Sequence, residues 1–194
     1  MGEIKSAFEK AMERVEKLEK ASPEELKRMK YVPEGNILAA KFLKNQITNF
    51  ASELSGYSED IKAYLMEGLQ ETLLRNIILP ISESAEENSR RAIEGILALK
   101  AANKAAVQEI LGQIENLFDY YQQAVQQNYA QLKQQFEMKI NDTRKMVEQQ
   151  TGVTARIDVE MHPQFQEEWR KFLASLNAQY EKALEEQKQR IEAL

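Results

Sequence analysis

The sequence predicts an all-α protein, an elongated helical bundle with one very long helix and an antiparallel C-terminal helix. Three observations predict it. The 194 residues include 7 Gly and 4 Pro, clustered as punctuation. Between those clusters apolar residues recur at three- and four-residue steps, the spacing of a helix with one buried face. No proline interrupts the stretch from Ser84 to Gln150.

Residues 3–20 place Ile4, Phe8, Met12, Val15 and Leu18 on one stripe, with Glu13–Lys17 and Glu16–Lys20 in the favourable order on the wet side. This reads as an amphipathic helix. Ser22-Pro23-Glu24-Glu25 is a capping box with proline at the first helical position. A short helix from Pro23 to about Tyr31 follows, and Pro33-Glu34-Gly35 is expected to break it. Ala39, Leu43, Ile47, Phe50 and Leu54 form the next stripe. Gly56 is expected as its left-handed terminator and Ser58 as the following N-cap. The second arm of this helix hairpin carries Ile61, Leu65, Leu69, Leu73 and Ile77 and ends before Pro80.

Ser84-Ala85-Glu86-Glu87 reads as a second capping box, and one helix is expected from there to about Gln150. Such a helix would be roughly 100 Å long. Gly95 and Gly112 are its weak points, each costing about 1 kcal/mol relative to alanine. Val107, Leu111, Ile114, Phe118 and Tyr121 follow a heptad, whereas the apolar residues from Val125 to Val147 follow an eleven-residue repeat, so the far half should supercoil little. After Gly152, Val153, Ala155, Ile157 and Val159 alternate with polar residues, so segment 153–160 reads as a single short strand or as a loop along the helices. Pro163 opens the last helix, whose stripe runs from Phe165 through Trp169, Phe172 and Leu176 to Leu194. The expected organisation is N-terminal helices over 1–34, a bundle over 35–111 and an antiparallel coiled-coil-like hairpin over 112–194.

Composition removes much common chemistry. The chain has no Cys and a single His, which excludes disulfides, thiolate metal sites and an imidazole cluster. The one histidine, His162, precedes a helix start and reads as a cap. Paired glutamates such as Glu86/Glu87 sit where charge favours a helix start. No phosphate-cradling glycine loop or nucleophile elbow occurs. A net charge of −5 with interspersed signs opposes nucleic-acid binding. The expectation is therefore no enzyme, no cofactor and no metal. Residues 1–6 lack a signal-peptide core, and the greasiest stretch, residues 77–81, is too short to span a bilayer, so a cytoplasmic location is expected. Gly2 and Ser6 match the loose myristoylation pattern without a polybasic partner, and a plain amino terminus is the simpler reading.

The informative stretch is Gln113 to Gln135, where Glu115, Asp119 and Lys133 are the only charges among many glutamines and the rings of Phe118, Tyr120, Tyr121 and Tyr129. Uncharged amides and aromatics are buried against another chain at lower desolvation cost than Lys or Glu. The candidate interface residues are Phe118, Tyr121, Val125, Tyr129, Phe165, Trp169 and Phe172. The opening Met1-Gly2-Glu3-Ile4-Lys5-Ser6-Ala7 with Ala11-Met12-Glu13 resembles the start of an uncharacterised bacterial family of helical proteins of about 200 residues, a resemblance that brings no activity with it. The long Gln- and Ala-rich helix is similar to those of stalk subunits in larger complexes.

The functional expectation is a non-catalytic helical scaffold or adaptor that self-associates as a homodimer or higher homo-oligomer, with a further protein partner in view. The alternatives are a membrane-surface amphipathic protein, which the mixed charges of the polar faces oppose, and a stalk-like subunit.

Overall fold

The computed structural model describes Ser6, residues 21–151 and residues 158–194, with residues 142–151 described by backbone alone. Among these residues the fold is all-α. The elements are α1 (Pro23–Leu43), α2 (Phe50–Leu54), α3 (Glu59–Arg75), α4 (Glu83–Leu99), a 3-10 turn at Ala101–Asn103, α5 (Lys104–Thr151) and α6 (Pro163–Glu192). The amphipathic segment 3–20, Ser6 excepted, lies outside the described residues, as does 152–157 of the alternating stretch; Val159 and Glu160 sit in a bend and a turn, not a strand. The chain forms two compact units, residues 1–77 with 90–102, and residues 78–89 with 103–194.

In the first unit α1 begins where the capping box places it. Ser22 Oγ accepts from the Glu25 backbone N–H at 3.2 Å, and the Glu25 carboxylate accepts from the Ser22 N–H at 2.7 Å. It does not stop at Tyr31. The expected break at Pro33-Glu34-Gly35 is overturned, because the helix runs through all three to Leu43. Proline inside a helix cannot donate to the carbonyl four residues back and costs about 3 kcal/mol in isolation. The cost is offset by tertiary packing, since Gly35, Ala39 and Phe42 are buried and α1 lies against α3. A Cβ on Gly35 would stand 2.2 Å from the Leu65 carbonyl oxygen, and one on Gly68 would stand 2.1 Å from that of Val32. The two backbones therefore touch, and glycine at both positions is what lets them.

The expected helix hairpin is also corrected, because α1 and α3 run in the same direction. Lys27 pairs with Asp60 at 2.6 Å near their starts, Gly35 meets Leu65 and Gly68, and Thr72 Oγ1 donates to Asn36 Oδ1 at 3.0 Å further on. Parallel neighbours need a return leg, here residues 44–58. The turn out of α1 is made by Asn45 at φ 58, a left-handed conformation that Asn tolerates; Gly56, expected to supply it, has no such φ. Asn49 caps α2 by accepting from the Ala51 N–H at 2.8 Å. Phe50 packs its ring 4.6 Å from Phe42, and Ser58 is the N-cap of α3 as expected. Leu65, Leu69 and Leu73 on α3 are fully buried, each contributing roughly 1.5–3 kcal/mol. From α4, Arg91 lies 4.5 Å over the Phe42 ring and donates to the Phe42 carbonyl at 3.3 Å, placing a cation at the C-terminus of α1.

In the second unit Pro80 keeps residues 77–80 out of helix, and Ser89 closes the link. Its buried Oγ accepts from the Ile78 N–H at 3.0 Å and donates to the Ile78 carbonyl at 2.9 Å. Ser82, not Ser84, caps α4 by accepting from the Ala85 N–H at 3.2 Å. The single helix expected from Ser84 to Gln150 is divided, and at neither glycine. Gly95 and Gly112 both lie inside helices, while Lys100 is a turn and Ala101–Asn103 is a 3-10 segment. Ala101 to Asn103 are exposed, and no burial there accounts for the interruption. It falls at the boundary between the two units, and the Asn103 side-chain amide donates to the Leu194 carbonyl at 2.6 Å.

One very long helix is present as expected, though it starts later. α5 has 48 residues, roughly 72 Å at the helical rise. α6 packs on it antiparallel. Gln113 meets Arg190, Tyr121 meets Asn177, Tyr129 meets Trp169 and Phe136 meets Phe165, a steadily falling register. Residues 78–89 join this unit with Leu79, Ala85 and Ser89 buried, so the two helices are not its only parts.

Candidate interaction surface

The α5–α6 hairpin gathers the aromatic residues that the sequence singles out. Tyr129 meets Phe165 and Trp169 edge to face at 5.6 and 5.0 Å, Phe136 meets Phe165 at 5.5 Å, and Trp169 stacks on Phe172 at 5.8 Å and 19°. Edge-to-face and offset contacts suit the ring quadrupoles and stabilise beyond simple burial. Two turns away, Tyr121 packs on Tyr180 at 5.4 Å and donates its hydroxyl to Asn177 Oδ1 at 2.8 Å. Burial pushes the Tyr121 hydroxyl above its ordinary pKa, with Glu181 adding to it.

The seven candidates thus fall into three environments. Tyr121 and Phe165 are buried within one chain's own hairpin. Phe118, Val125, Tyr129 and Trp169 are half-buried. Phe172 is 37% exposed although Trp169 supports it from one side. Tyr120, adjacent to the candidates but not among them, is 64% exposed.

Helical spacing places the exposed rings on recognisable edges. On α6, Phe172, Ser175, Gln179 and Arg190 share one edge, and on α5, Gln113, Tyr120, Ala124 and Asn128 share another. Arg190 donates to Gln113 Oε1 at 2.7 Å, which brings the two edges to one side of the hairpin. Between Tyr120 and Phe172 that side carries no charge. The signal was present in the sequence, because Tyr120 is offset from the buried stripe by one residue.

The turn end of the hairpin is polar. Lys133 pairs with Glu160 at 2.5 Å, and the Gln166 side chain donates to the Glu160 carbonyl at 3.1 Å. The Lys133 contact holds the Glu160 carboxyl below its ordinary range, and the same contact raises the lysine. His162 caps α6, its Nδ1 accepting from the Gln164 N–H at 3.3 Å, and its ring lies 6.1 Å from Phe136. Among the described residues no group of three or more His, Asp or Glu is arranged to hold a metal ion, and no helix is long and apolar enough to cross a membrane.

A family model described as a family of unknown function (DUF6657) matches residues 51–193. No curated protein and no solved structure matches the chain.

Proposed function

The chain belongs to that family of unknown function, and on this premise we propose that it is a non-catalytic helical scaffold or adaptor that self-associates through its α5–α6 hairpin. The observation that carries the reading is the pair of exposed rings, Phe172 and Tyr120, on one side of a two-helix layer with no charge between them. A second copy related by a two-fold axis would bring its own hairpin against this side and complete a four-helix arrangement. The surface suits that use. Its amides and hydroxyls pair across a seam at little desolvation cost, and its rings supply the apolar area. Tyr121, Tyr129, Phe165 and Trp169 support the seam from beneath by holding the two helices together.

Light scattering on a sizing column at micromolar concentration tests the proposal. The wild-type chain is expected to elute with twice the mass of one chain, and Phe172→Glu, which leaves the Tyr129–Phe165–Phe136 cluster in place, is expected to elute as a monomer with unchanged helicity. A wild-type monomer at that concentration overturns the reading.

A further inference from the structure

In the first unit, α1 carries an apolar stripe that its own fold leaves in water. Leu26, Met29, Pro33 and Ile37 recur at steps of three, four and four, one line along a helix. Leu26, Met29 and Ile37 are 41%, 57% and 56% exposed, and Pro33 is exposed as well. Gly35, which touches the backbone of α3, stands half a turn away. The stripe therefore points away from α3.

We propose that this stripe docks the protein on an anionic lipid surface. The charges of α1 carry the choice. Along the sequence they mix signs, but the fold sorts them. Lys27 pairs with Asp60 and Arg28 with Glu67, both on α3. Glu24 stands in line with Gly35, on the side turned to α3, and the Glu25 carboxylate is engaged by the Ser22 N–H at the cap. Beside the stripe stand Lys30, three residues before Pro33, and Lys41, four after Ile37, and Lys44 follows at the C-cap. All three lysines are exposed. Lys30 donates to the neutral Tyr31 hydroxyl at 3.3 Å, with Glu34 as the carboxylate that acts on its charge. Three lysines against that one glutamate leave the stripe with a positive border.

A helix of this make lies in the plane of the headgroups, its apolar residues sunk to the acyl boundary and its lysines at the level of the phosphates. Lysine stems cover apolar surface on the way, so border and stripe act together. Each lysine near a negatively charged leaflet strengthens binding roughly fivefold, an attraction that salt screens. A second copy suits the stripe less well. A stable interface between proteins uses roughly 20–30 residues a side and depletes lysine from its core, whereas four apolar residues with lysines beside them are on offer here. A bilayer requires no matching contour. The α5–α6 seam takes no part in this docking, so either surface can fail without the other.

Co-sedimentation of the full chain with vesicles tests the proposal. The wild type is expected to pellet with phosphatidylcholine vesicles that contain about 30% phosphatidylserine, and to stay in solution with phosphatidylcholine alone. Ile37→Glu is expected to weaken the binding by about tenfold or more, and Lys41→Gln by roughly fivefold. Met138→Glu, which alters an equally exposed apolar residue of the second unit, is expected to bind as the wild type does. Helicity by circular dichroism, required to equal that of the wild type, shows that each variant is folded. Absence of pelleting with the anionic vesicles, equal pelleting with the neutral ones, unchanged binding of Ile37→Glu, or an equal loss in Met138→Glu overturns the proposal. A fall in mass of Ile37→Glu by light scattering without vesicles would assign the stripe to a second copy and overturn it as well.

Discussion

Two glycines on different helices fix the distance between α1 and α3. At Gly35 and Gly68 a methyl group would collide with backbone oxygens, and backbone cannot rotate away as a side chain can. Gly35→Ala or Gly68→Ala is therefore expected to destabilise by about 1–3 kcal/mol, the range for overpacking, read from urea unfolding followed by circular dichroism. Gly112→Ala is the contrasting case. It lies inside α5 with nothing within 4 Å of the added carbon, and the substitution is expected to stabilise by about 1 kcal/mol through helix propensity. Unchanged stability of Gly35→Ala would mean that the crossing has slack. Lys188 is a residue-scale cost of the opposite kind. Its side chain is 14% exposed and its nearest carboxylate, Glu185, stands 4.0 Å away. Burial lowers its pKa against the pull of Glu185 and Glu181. With the folded value below the unfolded one, the folded chain is penalised while the amine is protonated, and the penalty shrinks as pH rises through the lowered value. Lys188→Met is expected to raise the melting temperature at neutral pH, by a stability gain of about 0.5–1 kcal/mol.

At the scale of elements, the turn that joins α5 to α6 is latched by Lys133 and Glu160. Glu160 is lowered, so its contribution is present above its unfolded value near 4.5 and is lost as pH falls through the folded one. Lys133 is raised, so its part is present below about 10.5 and is lost above its folded value. The protection of residues 158–162 against amide exchange, after the intrinsic pH dependence of the rate is divided out, is expected to be flat near neutrality and to fall in acid below the ordinary carboxylate range. Glu160→Gln should remove the acid limb of that profile.

The elements also show what the sequence could and could not reveal. Starts were legible where a cap is a local event, as at Ser22 and His162, because the capping side chain reaches only two or three residues ahead. Stops were less so. Pro33 looks like a terminator by every local rule, and it is overridden by packing of Gly35 and Ala39 on a helix thirty residues away. The division at Ala101–Asn103 is illegible too, since Ala101, Ala102 and the flanking Lys100 and Lys104 are good helix formers. The direction of α3 relative to α1 was hidden as well, because residues 44–58 read as a short link between stripes and turned out to be a full return leg.

For the whole molecule, the periodicity marked Tyr129, Phe165, Trp169 and Phe172 as one group, and they do meet. Spacing alone did not separate those turned inward from those left outside. Phe172 and Tyr120 sit at the margin of their stripes, where a rotation of tens of degrees decides exposure. The seam proposed for self-association centres on the uncharged stretch between Tyr120 and Phe172, which has its own signature. Association is expected to change little between about 50 mM and about 500 mM NaCl, because screening acts on charges that the stretch between the two rings lacks. A steep salt dependence in sedimentation equilibrium would point to a charged surface instead.

The second unit draws residues 78–89 from the middle of the chain and combines them with residues 103–194. On the ribosome that short stretch emerges well before its partners, with Leu79 and Ala85 still wet and Ser89 able to bond Ile78 only locally. The first unit, whose last described piece ends at residue 102, has its whole complement available while most of α5 is still untranslated. In the nascent chain Leu79 and Ala85 therefore stay wet until residues 103–194 follow, later than the apolar residues of the first unit meet their own partners.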